Sequence, residues 1–321
     1  MRLLITFTAV LAVASAQNAT NQFPADFMFG AEQPRKGESI QDYMFHNYPE
    51  YMIGEDNGDV ACDFYHQYLQ DVEMLKTLNA AIYRFSIAWS RVLPNGDFDV
   101  INQAGTDYYN NLIDALIPNG IQPLVTMYHW DLPQALQYIG GWPNELLVDY
   151  FVEYARLLFQ NFGDRVKWWI TFNEPHQFTM LGVAPCQPAP GIGDYLSRHT
   201  VIKAHARVWN THGSVGITLN MDWPEPETNS TEDAQAADRA GQFVMGMSAH
   251  PNYSQDGDYP AVVRQQVDAN SEAEGRPRSR LPTFTQEETE YIRVGSTSYT
   301  STLVDVFVKC DWKYTLPTFD I

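Results

Sequence analysis

The sequence has few basic residues for its length. Its 321 residues include 20 lysines and arginines against 39 aspartates and glutamates, which gives a formal net charge of −19 at pH 7. Proteins that bind nucleic acid or an anionic membrane contact phosphates with clustered Lys and Arg, so we expect neither partner. A second interpretation of the acidity, that it only keeps the protein soluble, stays open.

Cysteine is also scarce. Cys62, Cys186 and Cys310 make an odd number, so at most one internal disulfide can form and one thiol is left over. Which two would pair stays open. The spacing of the three residues fits no metal site, and we expect neither a metal nor a cofactor.

Long apolar runs are missing except at the N-terminus. Arg2, the apolar residues 3–13 and the small residues 14–16 have the pattern of a secretory signal, and the apolar part is too short to span a bilayer. We therefore expect a signal peptide over residues 1–16 and a secreted protein. Sequons at Asn18, Asn229 and Asn252 agree with that route. Since chance explains each motif as well, we expect a glycan on one or two of them.

The most informative stretch that is present lies at residues 168–175. An apolar, aromatic run ends abruptly in Asn173, Glu174 and Pro175. Burying a carboxyl group is costly unless its surroundings adapt it for use. At the C-terminal mouth of a parallel barrel, Glu174 would be well placed as a general acid/base. The alternative is a glutamate that caps the following helix. Similar apolar runs with polar ends at residues 83–91 and 128–133 favour the catalytic interpretation.

Predicted strands and helices alternate along the chain, which indicates parallel β-α-β units. We predict strands at residues 27–31, 81–88, 122–128, 167–172, 214–219 and 294–299. We predict helices at residues 65–77, 105–117, 145–162, 199–212, 233–245 and 285–293. Residues 254–280 are polar and are interpreted as a surface excursion. The fold class is therefore α/β, a (β/α)8 TIM barrel that is incomplete, with six of the eight strands in one partial barrel domain over residues 17–321.

At this point the sequence resembles glycoside hydrolase family 1, the β-glucosidase and myrosinase family. The resemblance runs from about residue 23 to residue 300. It rests on the runs RFSIAWSR at 84–91, YHWDLPQAL at 128–136 and TFNEP at 171–175, and on the APG and AHA runs at 189–191 and 204–206.

The resemblance implies a retaining β-glycosidase, in which two carboxyl groups about 5–5.5 Å apart act on the glycosidic bond. Glu174 matches the acid/base. Asn173 matches the residue that binds the sugar's 2-hydroxyl, and His129, with its companion Trp130, matches a donor to another hydroxyl. Plant myrosinases have Gln at the acid/base position, so the substrate implied is a small-molecule O-β-glycoside.

Two further residues match supporting positions. Arg84 and Tyr299 would contact the nucleophile, and the charge of Arg84 would lower its pKa. Arg84 is also explained as a structural ion pair within the barrel. A lone histidine such as His129 is more often a core residue, although its whole motif favours ligand contact. His205 is expected to pack between a helix and the barrel, outside the site.

Two departures from the family are visible. The nucleophile's run of Thr or Ser, Glu, Asn and Gly is not found, and neither are strands seven and eight. The loop after Ala31 is shortened and puts Gln33 beside Pro34. We therefore expect residues 1–321 to be inactive as written. Three interpretations stay open: an incomplete sequence of a β-glycosidase, a non-catalytic sugar- or aglycone-binding pseudoenzyme, and a nonfunctional splice product.

Overall fold

The computed structural model describes residues 36–52, 54, 57–60, 63–180, 191–212, 215–221, 223–294 and 304–306. Several predictions fall outside these residues: the signal peptide, the strand at 27–31, Asn18, the shortened loop with Gln33, the three cysteines and Tyr299. No helix in the described part is long and apolar enough to cross a membrane.

The described strands form one parallel sheet in chain order. They are β1 (Ile82–Ser86), β2 (Gln122–Tyr128), β3 (Trp168–Asn173), β4 (Val215–Met221) and β5 (Val304–Val306). Arg84 pairs with Leu124, Leu124 with Trp168, and Trp169 with Val215. Sequential parallel strands with helices between them are the repeating unit of a (β/α)8 barrel. The four strands predicted between residues 81 and 219 are confirmed, and β2 has the predicted bounds.

Helices connect the strands. They are α1 (Ile40–Asn47), α2 (Phe64–Thr77), α3 (Trp89–Val92), α4 (Gln103–Leu116), α5 (Gln134–Tyr138), α6 (Leu147–Phe162), α7 (Pro175–Thr179), α8 (Gly193–His212), α9 (Thr231–Gly241), α10 (Met247–Tyr253), α11 (Ala261–Ala273) and α12 (Gln286–Val294). A π-helical turn, Gln242–Gly246, joins α9 to α10. After α4, a 3-10 turn ends at Gly120, whose φ of 74° is left-handed and stops the helix.

The main core lies between the sheet and the helices packed on it. Trp89 on α3 stacks on Tyr154 of α6, with ring centroids 4.7 Å apart and planes 5° from parallel. The Tyr154 hydroxyl lies 2.9 Å from the carbonyl oxygens of both Ile87 and Met127. This buried hydroxyl therefore ties α6 to the ends of β1 and β2.

The interpretation of residues 254–280 as a surface excursion is wrong in part. The segment contains α11, and its Tyr259, Val263 and Val267 are buried in a second apolar cluster with Ile202 and Met247. Its polar composition hid this helix because only one narrow face is apolar. That face packs on α8, α10 and α12 and extends the helical layer outside the sheet.

Of the strand predicted at residues 294–299, only the first residue is described, and it is helical. Val294 is the last residue of α12, and the next described strand is β5, ten residues further along. The apolar residue that suggested a strand start continues a helix in which Ile292 is buried. Residues 295–300 lie outside the described part.

Candidate active site

The candidate site begins with Arg84, at the C-terminal half of β1. Its Nε donates to the Thr126 hydroxyl on β2 at 3.1 Å, and its Nη2 donates to Oδ1 of Asn173 at the end of β3. Because parallel strands place their carboxyl ends at one edge of the sheet, three strands meet through this one side chain.

Asn173 is the central residue of the site. It is 3% exposed, and its Nδ2 lies 3.1 Å from Nε2 of His129. An arginine can only donate, so the amide oxygen of Asn173 must face Arg84 and the amide nitrogen must face His129. His129 Nε2 is then the acceptor, and the neutral ring carries its proton on Nδ1.

His129 is held neutral. Desolvation, and then the positive charge of Arg84, lower its pKa to about 4. His129 is an exposed residue, so the charge of Arg84 is the cause that the geometry supports directly. A neutral ring with Nδ1–H can donate one hydrogen bond to a ligand hydroxyl.

Trp130 is fixed by hydrogen bonds at both its side chain and its backbone. Its indole nitrogen donates to the backbone carbonyl of Asn173 at 2.8 Å, and its own carbonyl accepts from Gln41 of α1 at 3.3 Å. Its φ is 73°. The left-handed backbone turns the chain sharply after β2 and brings the indole back over the end of β3.

Glu174 follows Asn173 in a second left-handed conformation, with φ 49° and ψ 65°. Its backbone N–H donates to the carbonyl of Thr218 on β4 at 2.9 Å. The residue is half-buried and occupies the N-cap position of α7, yet its side chain makes no capping hydrogen bond. The carboxyl group is therefore not used as a helix cap, the alternative that the sequence left open.

Positive φ is rare for residues other than glycine and is found mainly where surrounding structure enforces it. Four such residues occur in the described part, and two of them are Trp130 and Glu174. The strain is thus concentrated where the predicted site residues meet, as at many functional sites.

The structure brings together five predicted residues, Arg84, His129, Trp130, Asn173 and Glu174, whereas Tyr299 lies outside the described residues. His205 packs outside this group, buried and 2.8 Å from the Thr171 hydroxyl, as predicted. Sequence reasoning missed Thr126, since a threonine inside a buried strand gives no functional signal.

Asp131 follows Trp130 in the turn after β2. It is half-buried behind His129, whose backbone N–H lies 3.4 Å from its Oδ1. Burial raises its pKa to about 6. It shapes the turn after β2. Within the described residues, no group of three or more His, Cys, Asp or Glu could hold a metal ion.

A sequence profile decides the family. The profile of glycosyl hydrolase family 1 matches residues 19–307. The chain belongs to glycosyl hydrolase family 1. Its sequence resemblance to that family is therefore confirmed over most of its length.

Similar proteins agree with this membership. The chain is 43% identical to Myrosinase 1 of Brevicoryne brassicae, covering 85% of this chain and 64% of that protein. It is 42% identical to the cytosolic beta-glucosidase of Homo sapiens, covering 82% of this chain and 59% of the relative. The chain thus spans less than two thirds of these relatives.

Solved structures of family 1 enzymes share the fold. Aphid myrosinase superposes with a TM-score of 0.78 at 43% identity, covering 85% of this chain and 64% of that one. A rice beta-glucosidase gives 0.75 at 37% identity, with 85% and 59% covered. The fold class of a partly present (β/α)8 barrel is thus confirmed.

Proposed function

We propose that this family 1 protein is a retaining O-β-glycosidase that acts on small-molecule β-glycosides, with Glu174 as its general acid/base. The observation that carries the proposal is the hydrogen-bonded group Arg84–Asn173–His129 beside a glutamate whose carboxyl group does not cap its helix. A glutamate at this position can protonate a leaving oxygen and then deprotonate water.

Asn173 and His129 would bind the sugar. One N–H of the Asn173 amide faces His129, and an amide nitrogen has a second N–H. We assign that second N–H to the sugar's 2-hydroxyl, and Nδ1–H of His129 to a neighbouring hydroxyl. Trp130 offers its indole as an apolar wall beside them.

The proposed mechanism needs a second carboxylate as nucleophile. The 321 residues contain no run of the kind that bears it in the family. Arg84, already bonded to Thr126 and Asn173, is the cation we assign to it. A guanidinium in contact with a carboxylate lowers its pKa and keeps it ionised for attack.

The test uses the full-length protein, read through from the native transcript. We expect this protein to hydrolyse aryl β-glucosides with retention of anomeric configuration. Proton NMR of the first sugar formed measures that configuration. An inverted first product would contradict the mechanism. One relative is named a myrosinase, so a myrosinase substrate belongs in the same assay to compare S-linked with O-linked glycosides.

Glu174→Gln tests the acid/base role directly. The variant should lose hydrolysis of glycosides with poor leaving groups, because these need protonation, and should keep more activity on dinitrophenyl glycosides, which do not. A typical general acid contributes about 10²–10⁴-fold. An equal loss on both substrates would argue against this role.

A non-catalytic glycoside-binding protein is the competing proposal. The residues that we assign to sugar binding lie together in this chain, and no run that matches the nucleophile occurs in the 321 residues. If this chain is produced alone, we expect it to be inactive. Calorimetry with an aryl β-glucoside on the full-length protein separates the two proposals. Binding of the glycoside without its hydrolysis would favour the non-catalytic binding protein.

We also propose that the protein is secreted, on the basis of the signal pattern in residues 1–16. N-terminal sequencing of protein from the native source tests this. A mature N-terminus near Gln17 is expected, and a retained Met1 would contradict it.

A further inference from the structure

Arg198 on α8 has no described ion-pair partner, although its side chain is completely buried. It is 0% exposed. Its Nε lies 2.9 Å from the Thr179 hydroxyl, its Nη1 lies 2.6 Å from the Ser248 hydroxyl, and its Nη2 lies 3.0 Å from Nδ1 of His176. These partners are all neutral, and the described residues place no carboxylate within ion-pair distance.

Such an arrangement is costly for folding. Removing a charge from water without a counter-charge is unfavourable, and an apolar side chain of similar volume often serves stability better. Burial lowers the pKa of Arg198 to about 10, so the group is still charged at neutral pH. Packing alone does not account for an arginine at this position.

The contacts of Arg198 hold both ends of α7, the short helix that follows Glu174. His176 lies in its first turn and Thr179 at its end. The Thr179 hydroxyl accepts from Arg198 and donates to the carbonyl of Pro175 at 2.6 Å. The hydrogen bonds therefore lead from the guanidinium to the residue directly after Glu174. The opposite side of the guanidinium is anchored on α10 through Ser248.

Glu174 depends on such support. Its φ of 49° is a strained conformation that persists only where the surroundings enforce it. Helix α7 has five residues, and a helix this short is not stable by itself. The Gln177 N–H, which bonds the Glu174 carbonyl at 3.0 Å, keeps its place only if α7 does.

We propose that Arg198 is a positioning residue for Glu174: it fixes α7 to α8 and α10 and thereby holds the backbone from which the acid/base carboxyl group projects. The inference rests on the proposed function for its effect on catalysis. Arg198 and Thr179 would then affect proton transfer from Glu174 to the leaving oxygen, although neither residue contacts the substrate.

The test compares two threonine variants of the full-length protein. Thr179→Val and Thr106→Val each remove a buried hydroxyl that donates to the carbonyl four residues earlier in a helix. Only Thr179 also accepts from Arg198. We expect T179V to lower kcat/KM on an alkyl β-glucoside about tenfold more than on a dinitrophenyl β-glucoside, since a small misplacement of a catalytic group is costly. T106V should change both equally.

Arg198→Lys and Arg198→Met extend the series. Lysine keeps the charge without the planar fork of donors, so R198K should show the same selective loss to a smaller degree than R198M. If T179V and the soluble Arg198 variants lower both substrates equally, or leave both unchanged, Arg198 is only structural and the proposal is overturned.

Hydrogen exchange separates this inference from the proposed function. Amides of residues 176–180 should exchange faster in T179V than in T106V, whether or not the protein hydrolyses glycosides. Wild-type protein that is inactive on every glycoside would refute the proposed function alone. Unchanged exchange in residues 176–180 would refute the proposal that Arg198 fixes α7 in place.

Discussion

At the scale of single residues, Asn173 determines the chemistry of its neighbours. Its amide has an oxygen and a nitrogen that cannot be exchanged without loss, because Arg84 on one side can only donate. That constraint fixes which nitrogen of His129 carries the proton. The buried amide of Asn173 therefore sets the tautomer of the exposed His129. Replacing the amide nitrogen by an oxygen should change the protonation of the ring.

Asn173→Asp should raise the pKa of His129 from about 4. The substitution puts an oxygen that can only accept, with negative charge, where Nδ2 now lies 3.1 Å from Nε2. Both the charge and the hydrogen bond then favour the protonated ring. NMR titration of the histidine signals measures this. Buried His205, whose Nδ1 lies 2.8 Å from the Thr171 hydroxyl, is the internal control. A titration curve for His129 unchanged from wild type would refute the hydrogen-bond assignment.

Burial also distinguishes two of the predicted glycosylation sites. Asn252 is 3% exposed, and its Nδ2 donates to the carbonyl of Ser248 within α10, so the expectation of a glycan there does not fit the folded protein. Asn229 is exposed, next to Ser230, the N-cap of α9. Protein secreted from a eukaryotic host should therefore carry a glycan on Asn229 and none on Asn252. Mass spectrometry of the peptides after glycan release checks both sites, and a glycan found on Asn252 alone would contradict the structure.

At the scale of elements, sequence patterns located most strands because each is a short apolar run between clear stop signals. β2 is the clearest case, closed by Gly120 on one side and the polar His129 on the other. The site was located for the same reason, since polar residues at the ends of parallel strands share one edge. Helix α11 was missed because its apolar face is narrow. Arg198 was missed because nothing in a helical pattern marks a charged residue as buried.

One hydroxyl group links α6 by hydrogen bonds to the ends of the first two strands. Tyr154→Phe leaves the carbonyls of Ile87 and Met127 without it and should lower the free energy of unfolding by about 1–3 kcal/mol. Urea unfolding measures the change. Half-buried Tyr150, one turn earlier on α6, is the matched control, and Tyr150→Phe should cost much less. Equal losses of unfolding free energy in the two variants would show that the hydrogen bonds of the Tyr154 hydroxyl do not stabilise the protein.

At the scale of the whole molecule, buried histidines couple stability to pH. Burial lowers the pKa of His199 and His205 to about 4, whereas an unfolded histidine titrates near 6.5. The unfolded chain therefore binds more protons between these values. The stability that these two neutral histidines contribute to the folded state is fully present above about pH 6.5 and is lost as the pH falls toward 4. Asp131 acts in the opposite sense, because its raised pKa favours the folded state at low pH.

The protein should therefore be less stable at pH 5 than at pH 7.5. Between pH 6.5 and pH 5, each of these two buried histidines loses about 2 kcal/mol of its stabilisation, at about 1.4 kcal/mol per pH unit, and the histidines together outweigh Asp131. Denaturant midpoints at the two pH values measure the difference. His205→Gln should reduce it. A midpoint that rises on acidification would show that Asp131 and the surface carboxylates dominate.

The hydrogen bond from the Trp130 indole to the Asn173 carbonyl holds the indole in one place, and this position should affect the fluorescence of the protein. The indole lies partly exposed beside the proposed sugar position, so a bound glycoside would exclude water from it and shift its emission to shorter wavelength. The other tryptophans include Trp89, sealed in the core, and Trp223, on the surface, and neither would respond. A difference spectrum against Trp130→Phe isolates the signal. The protein therefore carries an intrinsic fluorophore that can report occupancy of its site without label or turnover.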